Sequence, residues 1–294
     1  MDKKILLGLT VGIMAVATGS LFARLAEAPP LVISAYRIGT ATLFLAPFAL
    51  SRCRHEYRLL SRVDLFQIVL AGALLALHFA TWITSLFYTT VASSVVLVNT
   101  IPIWVGLFGP FLTGDRVSRT MAMAMGLVMI GGAIVGAGDF ALSGRALVGD
   151  GLALAGGISA ALYFLMGRRV RSKLSLLGYI FLCYGSAAVF LWVIVLALRQ
   201  PITGFSSQTW ILFAAMGLIP QILGHTAYNW ALRWVSPGLV AVALLGEPLS
   251  GTFLAWLFLG EGLTAAKVLG GAIILTGIVL ASLGESRDRK AKAA

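Results

Sequence analysis

Residues 238–264 read GLVAVALLGEPLSGTFLAWLFLGEGLT. The run is apolar for long enough to cross a bilayer, yet about halfway along it carries Glu247 followed at once by Pro248. Neither residue suits a passive anchor. A carboxylate near the bilayer centre costs about 3 kcal/mol even on mild insertion scales, so a chain that keeps one turns it toward a cavity or a partner. Pro248 lacks an amide hydrogen and crowds the carbonyl of Leu244, which kinks the helix and frees backbone carbonyls beside the carboxyl. The first half of the chain holds a counterpart, VASSVVLVNTIPIWVGLFGPFLTGDRVS, at residues 91–118. Laying Pro102 on Pro248 also pairs Gly114 with Gly260, Asp115 with Glu261 and Ser118 with Thr264. Two copies of one broken helix predict two copies of one fold.

The composition agrees with a membrane location. Of 294 residues, 59% are hydrophobic and 11% charged, and the mean hydropathy is +0.96. Those values describe an all-α polytopic membrane protein rather than a soluble domain. A net charge of +11 raises nucleic acid as a partner, but the basic residues sit in short loops between apolar runs and not on one water-facing surface. No nucleic-acid partner is therefore expected. Cys53 and Cys183 show no metal spacing, and none of the lysines follows a glycine, so there is no phosphate-binding G-x-x-x-x-G-K-[ST] loop. Lacking also a Ser/His/Asp constellation, the chain offers no case for an enzyme, a cofactor or a metal.

At about 20 apolar residues per crossing, the sequence predicts ten transmembrane helices. They fall at roughly 5–25, 31–50, 65–87, 91–112, 120–138, 148–167, 176–198, 209–231, 238–258 and 266–284. Lys3, Lys4 and Ala15-Val16-Ala17 imitate a signal peptide and its cleavage site. The apolar run continues past them to Leu25, so it is read as the first span. The units divide as residues 1–139 and 140–286, followed by a basic tail at 287–294. One set of alternate loops holds Arg52, Arg54, Arg58 and Arg62, the run Arg168 to Lys173, Arg233 and the tail; Arg24, Arg37, Arg145, Arg199 and Lys267 fall elsewhere. This bias predicts both termini in the cytoplasm, in a multi-pass protein of the inner membrane. Five crossings per unit is an odd number, so the two units would be inverted relative to each other, with substrate bound between them near midplane.

Several side chains are candidates to line such a site. His78, Trp82 and Ser85 share one helix face at spacings of four and three, and His225, Tyr228 and Asn229 repeat the pattern. His225 falls within a residue of the image of His78. Asn99 precedes Pro102 by three, and Ser159 and Tyr163 are four apart. Packing accounts for these residues as readily as a cavity does. Arg37 lies roughly 10 Å from the outer surface at about 1.5 Å per residue, deep enough to face a vestibule but also able to snorkel outward. Glu247 is either a polar wall and protonatable coupling site or a carboxyl that satisfies carbonyls opened by Pro248. Gly270, Gly277 and Gly284, with Ala124, Gly131 and Gly138 as their images, read as close-packing seams, as do Gly8 and Gly12.

Ala35-Tyr36-Arg37, Asn99 with Pro102, Glu247-Pro248, and Leu259-Gly260-Glu261 with Leu263-Thr264 resemble the drug/metabolite transporter superfamily, specifically its EamA-type exporters, with YddG-like aromatic amino-acid exporters nearest. The likeness covers nearly the whole chain. It implies two inverted EamA-like five-helix repeats around a central cavity, with the fifth and tenth helices peripheral and Tyr36 among the cavity candidates. It also implies alternating-access export of amino acids or similar small amphipathic metabolites, with proton coupling open. One departure is that Asn99-Thr100-Ile101-Pro102 stands where the second unit has Gly246-Glu247-Pro248, so any carboxylate role rests on one unit. A sugar-phosphate or cationic-drug carrier of the same superfamily, or a non-carrier channel, is the alternative. A phosphorylated substrate calls for several inward Arg or Lys residues, and only Arg37 qualifies.

Overall fold

A computed structural model describes residues 3–114, 117–136, 144–171, 173–259 and 264–293. Asp115, Gly138, Gly260, Glu261 and Leu263, and the expected junction at 139/140, lie outside the described residues. In order the helices are α1 (Lys3–Leu25), α2 (Pro30–Arg52), α3 (Arg54–Arg58), α4 (Arg62–Ser85), α5 (Val91–Val98), α6 (Ile101–Leu112), α7 (Arg119–Gly136), α8 (Gly144–Val170), α9 (Leu176–Ala197) and α10 (Ser207–Met216). A π-helical segment, Gly217–His225, leads into α11 (Thr226–Ala231), and α12 (Pro237–Leu244), α13 (Gly246–Leu259) and α14 (Ala265–Ala293) complete the chain.

Eight stretches are long and apolar enough to cross a membrane: Lys3–Leu25, Pro30–Arg52, Arg62–Ser85, Ser93–Leu112, Gly144–Val170, Leu176–Ala197, Ser207–Ala231 and Val268–Ser286. Two more apolar segments, Arg119–Val135 and Pro237–Gly251, are shorter. Each of the ten expected runs overlaps helix among the described residues, and eight stretches there have the length of a crossing. The tail expected from residue 287 continues α14 as far as Ala293.

The two broken helices are built alike. Thr90 caps α5 by accepting from the amide of Ser93 at 3.1 Å, and Ser236 caps α12 by accepting from the amide of Leu239 at 3.2 Å. Each side-chain oxygen satisfies a donor that the helix start leaves free. Eight residues later each helix stops, at Asn99-Thr100 and at Leu245. Each restarts with Pro102 or Pro248 in the opening turn, where a missing amide hydrogen forfeits no bond. Proline thus separates two half-helices in both halves of the chain instead of bending one.

Packing follows the same duplication. α4 lies along α8, and α1 along the π segment and α11; α2 lies along α9 and α7 along α14. The half-helices cross, α6 touching α12 and α5 touching α13. Exchanging the two halves maps this pattern onto itself. Along the α7 and α14 seam a Cβ placed at Gly131 would sit 2.7 Å from the Gly270 carbonyl oxygen, and one at Gly277 would sit 3.1 Å from that of Ala124. Only small residues permit that approach.

Connections gather at two ends of the bundle. At one, the Asp64 carboxylate meets Lys173 Nζ at 2.6 Å, Glu56 accepts from the Ser175 amide, and Glu285 accepts from the Ser236 amide and hydroxyl. Here too Arg168 donates to the Leu232 carbonyl and buried Arg171 to those of Asn229 and Leu174. At the other end the Glu27 amide donates to Thr209, Arg24 to the Leu86 carbonyl and Ser93 to Asp150. The loops expected to be cytoplasmic thus share one end.

Candidate functional site

Between the halves lies a set of buried polar side chains with more hydrogen-bonding groups than partners. Arg37, on α2, is fully buried. Its Nε donates to Gln221 Oε1 at 3.0 Å, and its guanidinium lies over the Phe79 ring at 4.1 Å and within 5.8 Å of the Trp82 ring. A desolvated cation over an aromatic face gains about 2 kcal/mol, which offsets only part of the cost of burial. Nη1 and Nη2 have no partner, while the Gln221 side chain also meets the Tyr184 hydroxyl. The outward snorkel open to Arg37 on sequence is not taken, because Gln221 on the π segment holds it inward.

α1 approaches this site at a glycine. A Cβ at Gly19 would lie 3.3 Å from Arg37 Nη1 and 3.6 Å from the Trp82 ring. On α4, His78 Nδ1 donates to the Gly156 carbonyl at 3.0 Å, which fixes the tautomer and leaves Nε2 as an acceptor. Gly156 permits that bond, since its own Cβ would meet Trp82 Cβ at 3.2 Å. The imidazole stacks on the Trp82 ring at 5.8 Å and 8°, and lies 6.0 Å from the His225 ring across the boundary between halves. His225 in turn meets Phe79 at 5.0 Å and Tyr228 at 5.8 Å. Trp82 Nε1, His225 Nδ1 and the Tyr228 hydroxyl are buried without partners.

Glu247 stands in the first turn of α13, where a helix start favours negative charge. Its Oε2 accepts from Asn99 Nδ2 at 3.2 Å, and the same amide donates to the Val95 carbonyl at 2.9 Å. The carboxyl is therefore partnered by the side chain at the other helix break. Its Oε1 is buried and unpartnered. Arg37 and Glu247 lie within electrostatic range of each other and of Tyr228, without forming an ion pair.

Of the residues singled out on sequence, Arg37, His78, Trp82, Asn99, His225, Tyr228 and Glu247 gather here. Four others are engaged elsewhere. Tyr36 has other partners than Arg37, stacking on Phe213 at 4.5 Å and donating to the Ile202 carbonyl at 2.6 Å. Asn229 Nδ2 donates to the hydroxyls of Tyr163 and Tyr184 and to the His225 carbonyl, so it reaches Gln221 only through Tyr184. Ser159 donates back to the Ala155 carbonyl of its own helix. Gln221 and Phe79 were missed. A glutamine inside an apolar run, four residues before His225 and next to Pro220, was a signal for the first; Phe79 carried none.

The EamA-like transporter family pattern matches residues 2–137 and again 147–283. A protein of Archaeoglobus fulgidus named "Uncharacterized transporter" is 24% identical over 266 residues, covering 90% of this chain and 91% of that protein. "Uncharacterized transporter YdfC" of Bacillus subtilis is 22% identical over 286 residues, covering 96% and 91%. One crystal structure superposes with a TM-score of 0.80 at 18% identity, over 98% of this chain and 99% of the other, a likeness of fold. With two family matches spanning nearly all of a helical, membrane-suited chain, the protein belongs to the EamA-like transporter family.

Proposed function

We propose that the chain is a secondary transporter that exports amino acids or similar small amphipathic metabolites across the cytoplasmic membrane by alternating access. The observation that carries this reading is the pairing, in one buried site between the halves, of a guanidinium with two free nitrogens and a carboxyl with one free oxygen. The stacked rings of His78 and Trp82 beside them suit an amphipathic solute, an aromatic one included. Ten crossings in two inverted units complete the proposal, supported by the matching helix breaks and by packing that is unchanged when the halves are exchanged. The basic loops at one end favour that end, and both termini, facing the cytoplasm. Proton coupling fits the same site, because a proton and a substrate cation compete for one carboxylate.

Saturable, stereoselective counterflow of amino acids in proteoliposomes is the expected result. Ohmic conductance instead of counterflow assigns the protein to the channels.

A further inference from the structure

We propose that the site holds its substrate at two charged poles, Arg37 with Gln221 binding a free carboxylate and Glu247, steadied by Asn99, binding a free ammonium. The ligand class is then the unmodified amino-acid zwitterion, excluding the corresponding amines, carboxylic acids and N-acyl derivatives. This rests on the reading of the buried cluster as the transport site.

The poles differ in what they lack. At the first, the free groups are donors, Nη1 and Nη2 of Arg37. Gln221 orients the guanidinium, its Oε1 accepting from Arg37 Nε while its side chain also meets the Tyr184 hydroxyl. A fork of charged donors with no acceptor matches a carboxylate. At the second pole the free group is an acceptor, Glu247 Oε1, and Asn99 occupies the other oxygen. An ammonium supplies the donors that this oxygen needs.

Single-charge ligands fit worse. A cation alone leaves Arg37 buried and unpaired, and an anion alone leaves Glu247 so. A phosphate dianion meets one guanidinium and is repelled by the nearby carboxylate. A zwitterion satisfies both poles and enters with no net charge. The Tyr228 hydroxyl is buried, unpartnered and within electrostatic range of both Arg37 and Glu247.

The test is competition against labelled L-phenylalanine and L-leucine counterflow in proteoliposomes. Competitors are each amino acid, the amines phenethylamine and isoamylamine, and the acids 3-phenylpropanoate and 4-methylpentanoate. Each zwitterion is expected to compete about a hundredfold better than its amine or acid. Arg37→Gln is expected to erase discrimination against the amines only, and Glu247→Gln against the acids only. Amines or acids competing within about twofold of the zwitterion on the wild type overturn the two-pole site, whatever the variants do. So does a variant that weakens all three ligand types equally. Absence of counterflow for both labelled amino acids and the rest of the twenty overturns the transport reading itself, a separate failure.

Discussion

Asn99 and Glu247 meet at the two helix breaks, one from each half of the chain, with Nδ2 of the first 3.2 Å from Oε2 of the second. The bond joins the C-terminus of α5 to the start of α13, so the half-helices are tied together at the point where each is interrupted. Asn99→Ala leaves the buried carboxyl without its one donor and is expected to lower stability by about 1–3 kcal/mol. Thermal unfolding in detergent measures it, and an unchanged midpoint contradicts the tie.

Glu247→Gln keeps the shape and is expected to fold. Exchange driven by a pH gradient should lose its proton dependence, because an amide does not titrate, while residual passive counterflow survives. Transport into inverted vesicles at two pH values checks this; an unaltered pH dependence in the variant removes Glu247 from coupling.

Trp82→Ala and Tyr36→Phe separate site from scaffold. Trp82 stacks on His78 and borders Arg37, so its loss is expected to raise the apparent KM about tenfold or more. Tyr36 holds the Ile202 carbonyl away from the site, so its phenylalanine variant is expected to leave KM unchanged. The reverse ranking in counterflow assays would relocate the site.

Gly131→Val tests the seam between α7 and α14. Its Cβ falls 2.7 Å from the Gly270 carbonyl oxygen, an overpacking expected to cost about 1–3 kcal/mol. Because neither helix contributes a site residue, substrate affinity of the folded fraction is expected to hold. Thermal unfolding together with KM distinguishes the two effects.

The sequence carried the helix breaks and the duplication, since Pro102 and Pro248 are written into it and proline acts on its own backbone. It also carried the face of α4, a regular helix on which the spacing of His78 and Trp82 reports direction faithfully. The second half was less legible. The run expected as one helix at 209–231 contains the π segment Gly217–His225 around Pro220, whose missing amide hydrogen breaks the regular ladder. Spacing across that segment, as between Gln221 and the residues after it, is therefore not the regular α one. Asn229 lies beside His225, donating to its carbonyl, and also reaches the hydroxyls of Tyr163 and Tyr184. The role of Glu247 was open for a different reason: its partner is contributed by the other half of the chain, and no local pattern encodes that meeting.

Arg37 carries the central claim, because it is a fully buried guanidinium with two unpartnered nitrogens. The direct measurement is amino-acid counterflow in proteoliposomes for the wild type and Arg37→Gln, each matched for thermal unfolding midpoint. Saturable, stereoselective counterflow is predicted in the wild type, and a clearly raised KM in a variant that remains folded. Equal counterflow in both, with equal KM, would contradict a substrate-binding role for this guanidinium.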